Sequence, residues 1–201
     1  AMAEGTETET FQLDLTGAAH LLRGPDHAVH YSSKKESWNT PHNVLNLARR
    51  FCNGQIYLDP CTNPTSAVGA VLAWDMVKDG LKQPWPEASK GCIWVNPPYG
   101  PKLKRWTKKI AGEARRGAEI LTLLPARTET EWWHETLLPA TDAFCFYRRR
   151  VTFLGGKASA PFPSVTTYHG PRPHRFVQIF SEIGWCFVNP HRPKQNQLSL
   201  F

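Results

Sequence analysis

Short apolar runs alternate along this chain with amphipathic stretches of helical length, and this alternation constrains the fold more than any other feature. Residues 92–95 (CIWV) are continuously apolar, whereas residues 101–117 have apolar positions at helical spacing and end at Gly117. Continuous apolar runs of this length are typical of strands that helices cover on both faces of a parallel sheet. The pattern predicts an α/β fold with parallel strands in a single domain.

The first predicted helix covers residues 40–54. Thr40 is expected to cap it, Pro41 sits in its first turn, and Gly54 follows its end. The remaining elements follow from the same two periodicities: helices at 129–139 and 173–184, a hairpin with a long loop at 149–169, and strands at 55–60, 70–74, 118–125, 142–148 and 185–189.

Composition limits the class of protein. Of the 201 residues, 41% are hydrophobic, which suffices for one buried core, and no run of about 18 apolar residues predicts a membrane span. The first ten residues are polar and acidic and do not resemble a signal peptide. We expect a flexible arm over 1–30, a folded domain over 31–188 and a flexible tail over 189–201.

The five cysteines are odd in number and widely spaced. None forms a Cys-x-x-Cys pair, so no zinc site or other metal site is expected. A reducing cytoplasm is the simplest interpretation of this cysteine usage.

The charge is basic and unevenly distributed. Lys and Arg number 24 against 17 acidic residues, and two basic blocks cover 101–109 and 147–150. Basic blocks near aromatic residues favour a nucleic-acid partner, because cations bind phosphates and rings stack on bases. A solvated surface explains the same charges without a partner.

A rigid polar turn, Asn96-Pro97-Pro98-Tyr99, follows the apolar run 92–95. Ligands of parallel sheets bind beyond the carboxyl ends of strands. Because prolines fix φ and lack an N–H group, this turn is stiff and its carbonyl oxygens have fixed directions. The Asn96 side-chain oxygen and the Pro97 carbonyl can accept the two hydrogens of an exocyclic amine, while Tyr99 can stack on a planar base. Asn and Pro are also ordinary turn formers without any catalytic role.

Several segments, taken in order, resemble the small phage and prophage DNA adenine-N6 methyltransferases of the Dam-like type. The resemblance runs from about Ser32 to Val188. Its segments are WNTP (38–41), YLDPCTNP (57–64), DGL (79–81) with Trp85, WVNPPYG (94–100), LLPARTETEWWHE (123–135) and APFPS (160–164). It implies a Rossmann-like fold for 31–188, S-adenosylmethionine as methyl donor, S-adenosylhomocysteine as product, and transfer to an adenine flipped out of DNA.

The resemblance also implies which residues bind the cofactor. They are Trp38, Thr40, Pro41, Asp59, Pro60, Asp75 and Asp79. The first three would line the methionine end, and Asp59 would accept hydrogen bonds from the amino group. Asp79 would contact the adenine amine of the cofactor, and Asp75 is the candidate for the ribose hydroxyls. Many methyltransferases have a Gly-rich loop after the first strand, but here the first glycine is Gly69, well downstream.

For the substrate, the resemblance makes Asn96, Pro97, Pro98 and Tyr99 the catalytic turn. Tyr99 would stack on the flipped base, and Phe162, with Phe153 as second choice, would cover its other face. The residues expected to hold the DNA backbone are basic: Lys102, Lys104, Arg105 and Arg149.

The last five residues, QLSLF, resemble the pentapeptide by which bacterial replication proteins bind the β sliding clamp. Gln197 can hydrogen-bond through both ends of its amide, and Leu198, Leu200 and Phe201 can fill an apolar pocket. A flexible leader would give the motif reach and raise the enzyme's concentration at replicating DNA in the host cytoplasm. The same three apolar side chains can instead pack on the protein's own core.

Three alternatives stay open. An N-methyltransferase of RNA or of a protein glutamine needs the same turn, because each substrate offers a planar amine. Cytosine-N4 methylation is chemically similar, although that subgroup more often has Ser at the first position of the turn. A DNA-binding module without catalytic activity also fits the charge.

Overall fold

A computed structural model of the chain describes residues 38–156 and 158–190. These residues form an eight-stranded mixed sheet, which confirms the predicted α/β class. The strands are β1 (Leu58–Asp59), β2 (Leu72–Ala73), β3 (Cys92–Val95), β4 (Glu119–Thr122), β5 (Leu124–Pro125), β6 (Ala143–Tyr147), β7 (Ser164–His169) and β8 (Gly184–Val188).

The strand order is β2-β1-β3-β4-β7-β6-β8, and β5 also pairs with β7. Strands β1 to β4 are parallel, whereas β7 runs antiparallel to both β4 and β6, and β8 runs antiparallel to β6. From β1 the chain adds β2 on one side and then crosses to place β3 on the other. The topological switch point therefore lies beyond the carboxyl ends of β1 and β3.

Four helices accompany the sheet in the described segments: α1 (His42–Phe51), α2 (Leu103–Arg115), α3 (Leu138–Ala140) and α4 (Pro173–Phe180). A π-helical segment, Trp133–Leu137, leads into α3, and a 3₁₀ turn, Ala88–Lys90, precedes β3. Within the π-helical segment, Trp133 is buried and its ring lies 6.1 Å from that of Phe144.

Alternate residues of β3 bury their side chains on opposite faces of the sheet, as the period of a strand requires. Trp94 joins a core formed with residues of α1 and α4, including Phe51 and Phe176. Its neighbour Ile93 joins a second core with residues of α2, including Trp106. The central strand is thus covered on both faces, which explains its continuous apolar sequence.

Two predictions about local structure are wrong. Thr40 does not cap α1, because its hydroxyl accepts a hydrogen bond from the buried Trp94 indole at 3.1 Å and the helix begins at His42 without a side-chain cap. The stretch 149–153 does not pair with β7, because both edges of β7 are already occupied by β6 and by β4 with β5. The next residue in the chain, Leu154, forms an isolated antiparallel bridge with Asn39.

Several predicted strand and helix bounds are also too wide. The predicted strands 55–60 and 70–74 contain only two strand residues each, and the predicted strand 118–125 divides into β4 and β5. The last predicted helix ends at Phe180, and β8 already begins at Gly184.

A buried polar chain links β4 and β7 to the end of α3. The hydroxyls of Thr122 and Thr167 lie 2.7 Å apart, and Thr167 is 2.9 Å from His169 Nε2. The other ring nitrogen, Nδ1, is 2.7 Å from the carbonyl oxygen of Ala140. Burial lowers the pKa of His169 to about 4, so the imidazole is neutral at neutral pH.

Candidate active site

Two polar residues lie at the carboxyl ends of adjacent parallel strands. Asp59 is the last residue of β1, and Asn96 follows Val95, the last residue of β3. The strands pair in register between Leu58 and Ile93, so both strand ends face the topological switch point. Ligands of open α/β sheets bind at such a point, which makes this the candidate site.

The Asn96 carboxamide is held in one orientation. Its Nδ2 donates to the backbone oxygen of Trp38 and, at 3.2 Å, to Thr40 Oγ1. These two acceptors identify the nitrogen end of the amide, so the oxygen Oδ1 faces the opposite way, toward Tyr99. A carbonyl oxygen accepts two hydrogen bonds, and Tyr99 uses one of them. Oδ1 therefore retains an acceptor position for a substrate.

The Tyr99 hydroxyl connects the turn to β4. It lies 3.0 Å from Asn96 Oδ1 and 3.1 Å from the carbonyl oxygen of Leu123. Burial, with smaller contributions from Tyr147 and Cys61, raises the pKa of Tyr99 well above its ordinary value. The phenol thus remains protonated, and its single O–H hydrogen is shared between these two acceptor oxygens.

Aromatic rings surround Tyr99 on the side of the segment 151–163. The ring centroids of Phe162 and Phe153 lie 5.5 and 6.1 Å from that of Tyr99, with interplanar angles of 75° and 74°. Trp38 contacts the same two rings at 6.0 and 5.1 Å. Because both phenylalanines meet Tyr99 edge-on, a planar base between Tyr99 and either ring requires one ring to turn.

Asp59 is a buried carboxylate with neutral partners. Only 4% of the residue is exposed, and its carboxylate accepts from the Cys61 amide at 3.1 Å and from Ser66 Oγ at 3.3 Å. None of the ion pairs within the described segments involves Asp59. Burial raises the pKa of Asp59, although these hydrogen bonds oppose the shift. A cationic ligand group would supply the missing charge.

The loop after Asp59 is fixed at its base and at its tip. At the base, a Cβ added to Gly80 would lie 2.1 Å from the Pro60 carbonyl oxygen, so only glycine fits there. At the tip, Asn63 Nδ2 donates to Asn39 Oδ1 at 2.7 Å, and Asn39 Nδ2 donates to Thr65 Oγ1 at 2.7 Å. These contacts join the loop to the residues that precede α1.

A profile of the DNA N-6-adenine-methyltransferase (Dam) family matches residues 28–166, more than half of the chain. The chain belongs to the Dam family. No curated protein matches it. Members of the Dam family methylate adenine in DNA with S-adenosylmethionine as methyl donor. Membership of this family agrees with the mixed α/β sheet described above.

In this Dam-family chain, the two acidic residues after β2 both bind their own backbone. Asp75 Oδ1 accepts from the amides of Val77 at 2.9 Å and Lys78 at 3.1 Å. Asp79 has a positive φ of 49°, accepts from the Leu81 amide at 3.2 Å and pairs with a lysine. Each carboxylate still has acceptor capacity for a ligand, so their roles at the ribose and adenine of the cofactor stay predictions.

The basic residues expected to contact DNA are all exposed. Lys102, Lys104 and Arg105 lie at the start of α2, directly after the turn 96–99, although Lys104 is 2.6 Å from Glu131. Arg149 lies beyond β6, which runs parallel to β4, and so it belongs to the same edge of the sheet as Asn96. With Arg148 and Arg150 it lines a cavity of about 420 Å³ beside Pro41.

The two neighbours of Arg149 are anchored by neutral groups. Arg148 donates to the Ser181 carbonyl at 3.2 Å, and Arg150 donates to the Ala160 carbonyl at 3.4 Å. The ion pairs found in residues 38–156 and 158–190 include none of the three arginines. These three arginines therefore carry positive charge that no described carboxylate pairs with, although Glu182, which pairs with Arg50, also lines the cavity.

The remaining predictions concern the two ends of the chain, metal sites, membrane spans and the cysteines. The arm 1–30 and the tail residues Gln197, Leu198, Leu200 and Phe201 lie outside the described residues. Within the described segments, no three His, Cys, Asp or Glu side chains are arranged to hold a metal ion. The same part of the chain contains no helix long and apolar enough to span a membrane. All five cysteines lie in it and are free, and the cytoplasmic location stays a prediction.

Sequence reasoning missed Asn39 and Asn63. Both lie inside segments that carry the resemblance, WNTP and YLDPCTNP, and this position was the available signal. The role of Thr40 in holding Asn96 was missed for a different reason, because the two residues lie 56 positions apart in sequence.

Proposed function

We propose that this chain transfers a methyl group from S-adenosylmethionine to the N6 amine of an adenine in DNA, through the turn Asn96–Tyr99. The observation that carries the proposal is the fixed Asn96 amide, whose Oδ1 retains an acceptor position at the switch point. The lone pair of an adenine amine is delocalised into the ring, which makes the amine a poor nucleophile. If Asn96 Oδ1 and the Pro97 carbonyl accept hydrogen bonds from the two N–H groups of this amine, the nitrogen is drawn toward tetrahedral geometry and its lone pair becomes localised.

The residues around Asn96 hold this acceptor in place. Trp38 and Thr40 bind the nitrogen end of the amide and keep it from turning toward the substrate. Tyr99 binds the oxygen end while its ring provides a stacking surface. Catalysis is then mainly positioning, because correct placement of reacting groups removes a large part of the barrier.

The donor site fits the cofactor. S-adenosylmethionine supplies a methyl group on a sulfonium, which needs no activation by the protein. The buried carboxylate of Asp59, with neutral partners only, suits the ammonium group of the methionine part. The remaining proposed cofactor residues are Trp38, Thr40, Pro41, Pro60, Asp75 and Asp79. Of these, Trp38 and Thr40 contact the Asn96 amide, and Pro60 directly follows Asp59.

Adenine N6 is inaccessible to such a site within a duplex, so we propose that the base is flipped out. Tyr99 would stack on one face and Phe162 on the other, with Phe153 as the alternative. The edge-on contacts of both phenylalanines mean that the ring which covers the base must turn when the base enters.

Two basic surfaces would hold the backbone of the DNA. The exposed start of α2, with Lys102, Lys104 and Arg105, directly follows the catalytic turn. The arginine-lined cavity that contains Arg149 lies at the same edge of the sheet. The slope of log K against log salt is about −0.9 for each phosphate that the protein contacts, so removal of one contact reduces the slope by about 0.9. Arg149→Ala should thus reduce the slope by about one, whereas Lys90→Ala, in the exposed 3₁₀ turn at the amino end of β3, should leave it unchanged.

The reaction itself is tested by transfer of labelled methyl from S-adenosylmethionine to unmethylated DNA, followed by digestion to nucleosides. The proposal predicts N6-methyladenine with the wild type and its loss with Asn96→Ala. RNA and a glutamine-containing protein serve as parallel substrates. Label in either of these but not in DNA would contradict the proposal, and label in N4-methylcytosine would assign the other amine.

A DNA-binding module without catalysis is the alternative from another class. It predicts DNA binding without donor binding, so calorimetry with S-adenosylmethionine distinguishes the two. A saturating heat signal that Asp59→Asn weakens supports the enzyme, because the module has no reason to bind a cation at Asp59.

We further propose that the tail QLSLF recruits the enzyme to DNA replication through the bacterial β sliding clamp. The support is the sequence alone, with Gln197 and three apolar side chains at the positions of the clamp-binding pentapeptide. The test compares binding of the intact protein and of a protein without 197–201 to immobilised clamp. Equal binding would show that the tail has another role, such as packing on the protein's own core.

A further inference from the structure

The strongest unexplained feature of the site is Asn39, which contacts two separate parts of it. Its side chain binds the loop after β1: Nδ2 donates to Thr65 Oγ1 at 2.7 Å and to the Thr65 carbonyl at 3.1 Å, while Oδ1 accepts from Asn63 Nδ2 at 2.7 Å. Its backbone oxygen accepts from the Leu154 amide at 2.9 Å. Asn39 thus joins the loop after Asp59 to the segment that carries Phe153 and Phe162.

The loop side of this contact is itself closed by hydrogen bonds. Asn63 Oδ1 accepts from the amide and the hydroxyl of Thr65, at 3.0 and 2.9 Å. Asn39, Asn63 and Thr65 therefore form a three-membered network, in which the loss of one polar group leaves the others short of a partner. One residue further along, Ser66 donates its amide to the Asn63 carbonyl at 3.0 Å and its hydroxyl to Asp59 Oδ2 at 3.3 Å. Ser66 thus connects the network to the carboxylate proposed to bind the cofactor.

The substrate side of the contact leads to the aromatic rings. Leu154, which bridges to Asn39, is the neighbour of Phe153, and Phe153 contacts both Tyr99 and Trp38. The residues on either side of Asn39, Trp38 and Thr40, hold the Asn96 amide. A shift of Asn39 that follows the loop therefore reaches both the ring that must turn for the base and the catalytic amide.

We propose that Asn39 is a positioning residue that couples occupancy of the cofactor site to binding of DNA. Cofactor at Asp59 sets the position of the loop 60–66 through Ser66, and Asn63 and Thr65 hold Asn39 to that loop. Asn39 in turn sets the position of Leu154 and of its neighbour Phe153. The inference rests on the proposed function, because it assigns the cofactor to Asp59 and the base to Tyr99. Coupling between two sites is a ratio of affinities, and it is the same in both directions.

The test measures that ratio. Affinity for a fluorescent, unmethylated DNA duplex that the wild type methylates is determined by anisotropy at one salt concentration, with and without saturating sinefungin, an unreactive analogue of the cofactor. The wild type is expected to bind DNA at least about fivefold more tightly with sinefungin, within the usual range of coupling. Asn39→Ala keeps the backbone hydrogen bond to Leu154 but loses the side-chain hydrogen bonds to the loop. The ratio of its DNA affinities with and without sinefungin should therefore fall to within about twofold of one.

Thr65 provides a matched pair that does not alter Asn39. Thr65→Val removes the hydroxyl at nearly constant shape, whereas Thr65→Ser retains it, so only the valine variant should lose coupling. Asn46→Ala is the control for truncation of an amide, because Asn46 is exposed on α1 and its side chain accepts a hydrogen bond from Arg49 at 3.4 Å rather than from the loop. If Asn39 has only a structural role, its truncation should weaken the affinity for DNA equally with and without sinefungin, and the ratio of the two affinities should stay unchanged. If Asn39→Ala does not fold, the Thr65 pair decides.

The outcomes separate this inference from the proposed function. A wild type that binds sinefungin and DNA independently overturns the coupling but not the reaction, as does an unchanged ratio in Asn39→Ala and Thr65→Val. A wild type that fails to bind sinefungin overturns the proposed function and the coupling with it. Calorimetric titration of sinefungin with and without DNA should give the same ratio as the anisotropy.

Discussion

Replacement of Asp59 by Asn should separate stability from cofactor binding. The carboxylate is buried, accepts only from neutral donors, and has a raised pKa as a result. A carboxyl group whose folded pKa is raised destabilises the fold as the pH rises past its ordinary range, because the unfolded state then ionises more readily. Asn retains an oxygen for the Cys61 amide and has no charge to bury. We expect Asp59→Asn to be as stable as the wild type or more stable.

Cofactor binding should change in the opposite direction. A hydrogen bond to a charged group contributes about 1.5–3 kcal/mol, so its loss should weaken the cofactor about 10- to 150-fold. At a ligand concentration of about 100 times the wild-type Kd, the wild type gains about 2.7 kcal/mol of stability. For a domain of this size that gain raises Tm by roughly 5–10 °C, and a variant weakened 100-fold should show only about 1 °C.

The assay is thermal unfolding with and without S-adenosylhomocysteine, supported by calorimetric affinities. Asp142→Asn is the matched control, because Asp142 also accepts from a backbone amide, that of Gly170 at 2.6 Å, but precedes β6 at the opposite edge of the sheet. The control should keep the ligand-induced shift. A wild-type shift in Asp59→Asn, or a loss of intrinsic stability in that variant, would refute the account of Asp59 as a carboxylate retained for a cationic ligand.

Three further predictions concern the turn, the loop and the core. Tyr99→Phe removes the donor to Asn96 Oδ1, so kcat should fall about tenfold while cofactor affinity stays unchanged, and a wild-type kcat would contradict the role of the hydroxyl. Gly80→Ala places a Cβ against Pro60, so both stability and cofactor affinity should fall, by about 1–3 kcal/mol for stability in urea unfolding, and an unchanged midpoint would contradict the clash. His169 has a lowered pKa of about 4, so about 3 kcal/mol of stability is present above pH 6.5 and is lost as the pH falls toward 4. A His169→Gln variant should lack this part of the pH dependence in unfolding titrations, and identical pH profiles of the variant and the wild type would contradict the burial of a neutral imidazole.

The sequence allowed the central sheet to be predicted because its signal is local. The apolar run 92–95 and the amphipathic helix after it carry the two periodicities directly, and the strand end at Asn96 follows from the prolines. Strands β1 and β2 were predicted too long, because each has only two residues and the buried apolar residues beside them, such as Ile56 and Trp74, lie outside the strands.

The contacts within the site could not be predicted, because they join distant parts of the chain. Thr40 has the sequence context of a helix cap, and only the buried indole of Trp94, 54 positions away, explains why its hydroxyl is used elsewhere. The choice between Phe153 and Phe162 is open for a similar reason, since both rings contact Tyr99 at similar distance and angle.

The central claim is that Asn96 enables methylation of adenine in DNA. It is tested most directly by expression of the wild type and of Asn96→Ala in a bacterial host that lacks adenine methylation, with N6-methyladenine then located in the genomic DNA. The account predicts methylated adenines at a defined sequence with the wild type and none with the variant, at equal amounts of folded protein. Equal methylation in both strains, or none in either while the wild type is folded and binds the cofactor, would contradict it.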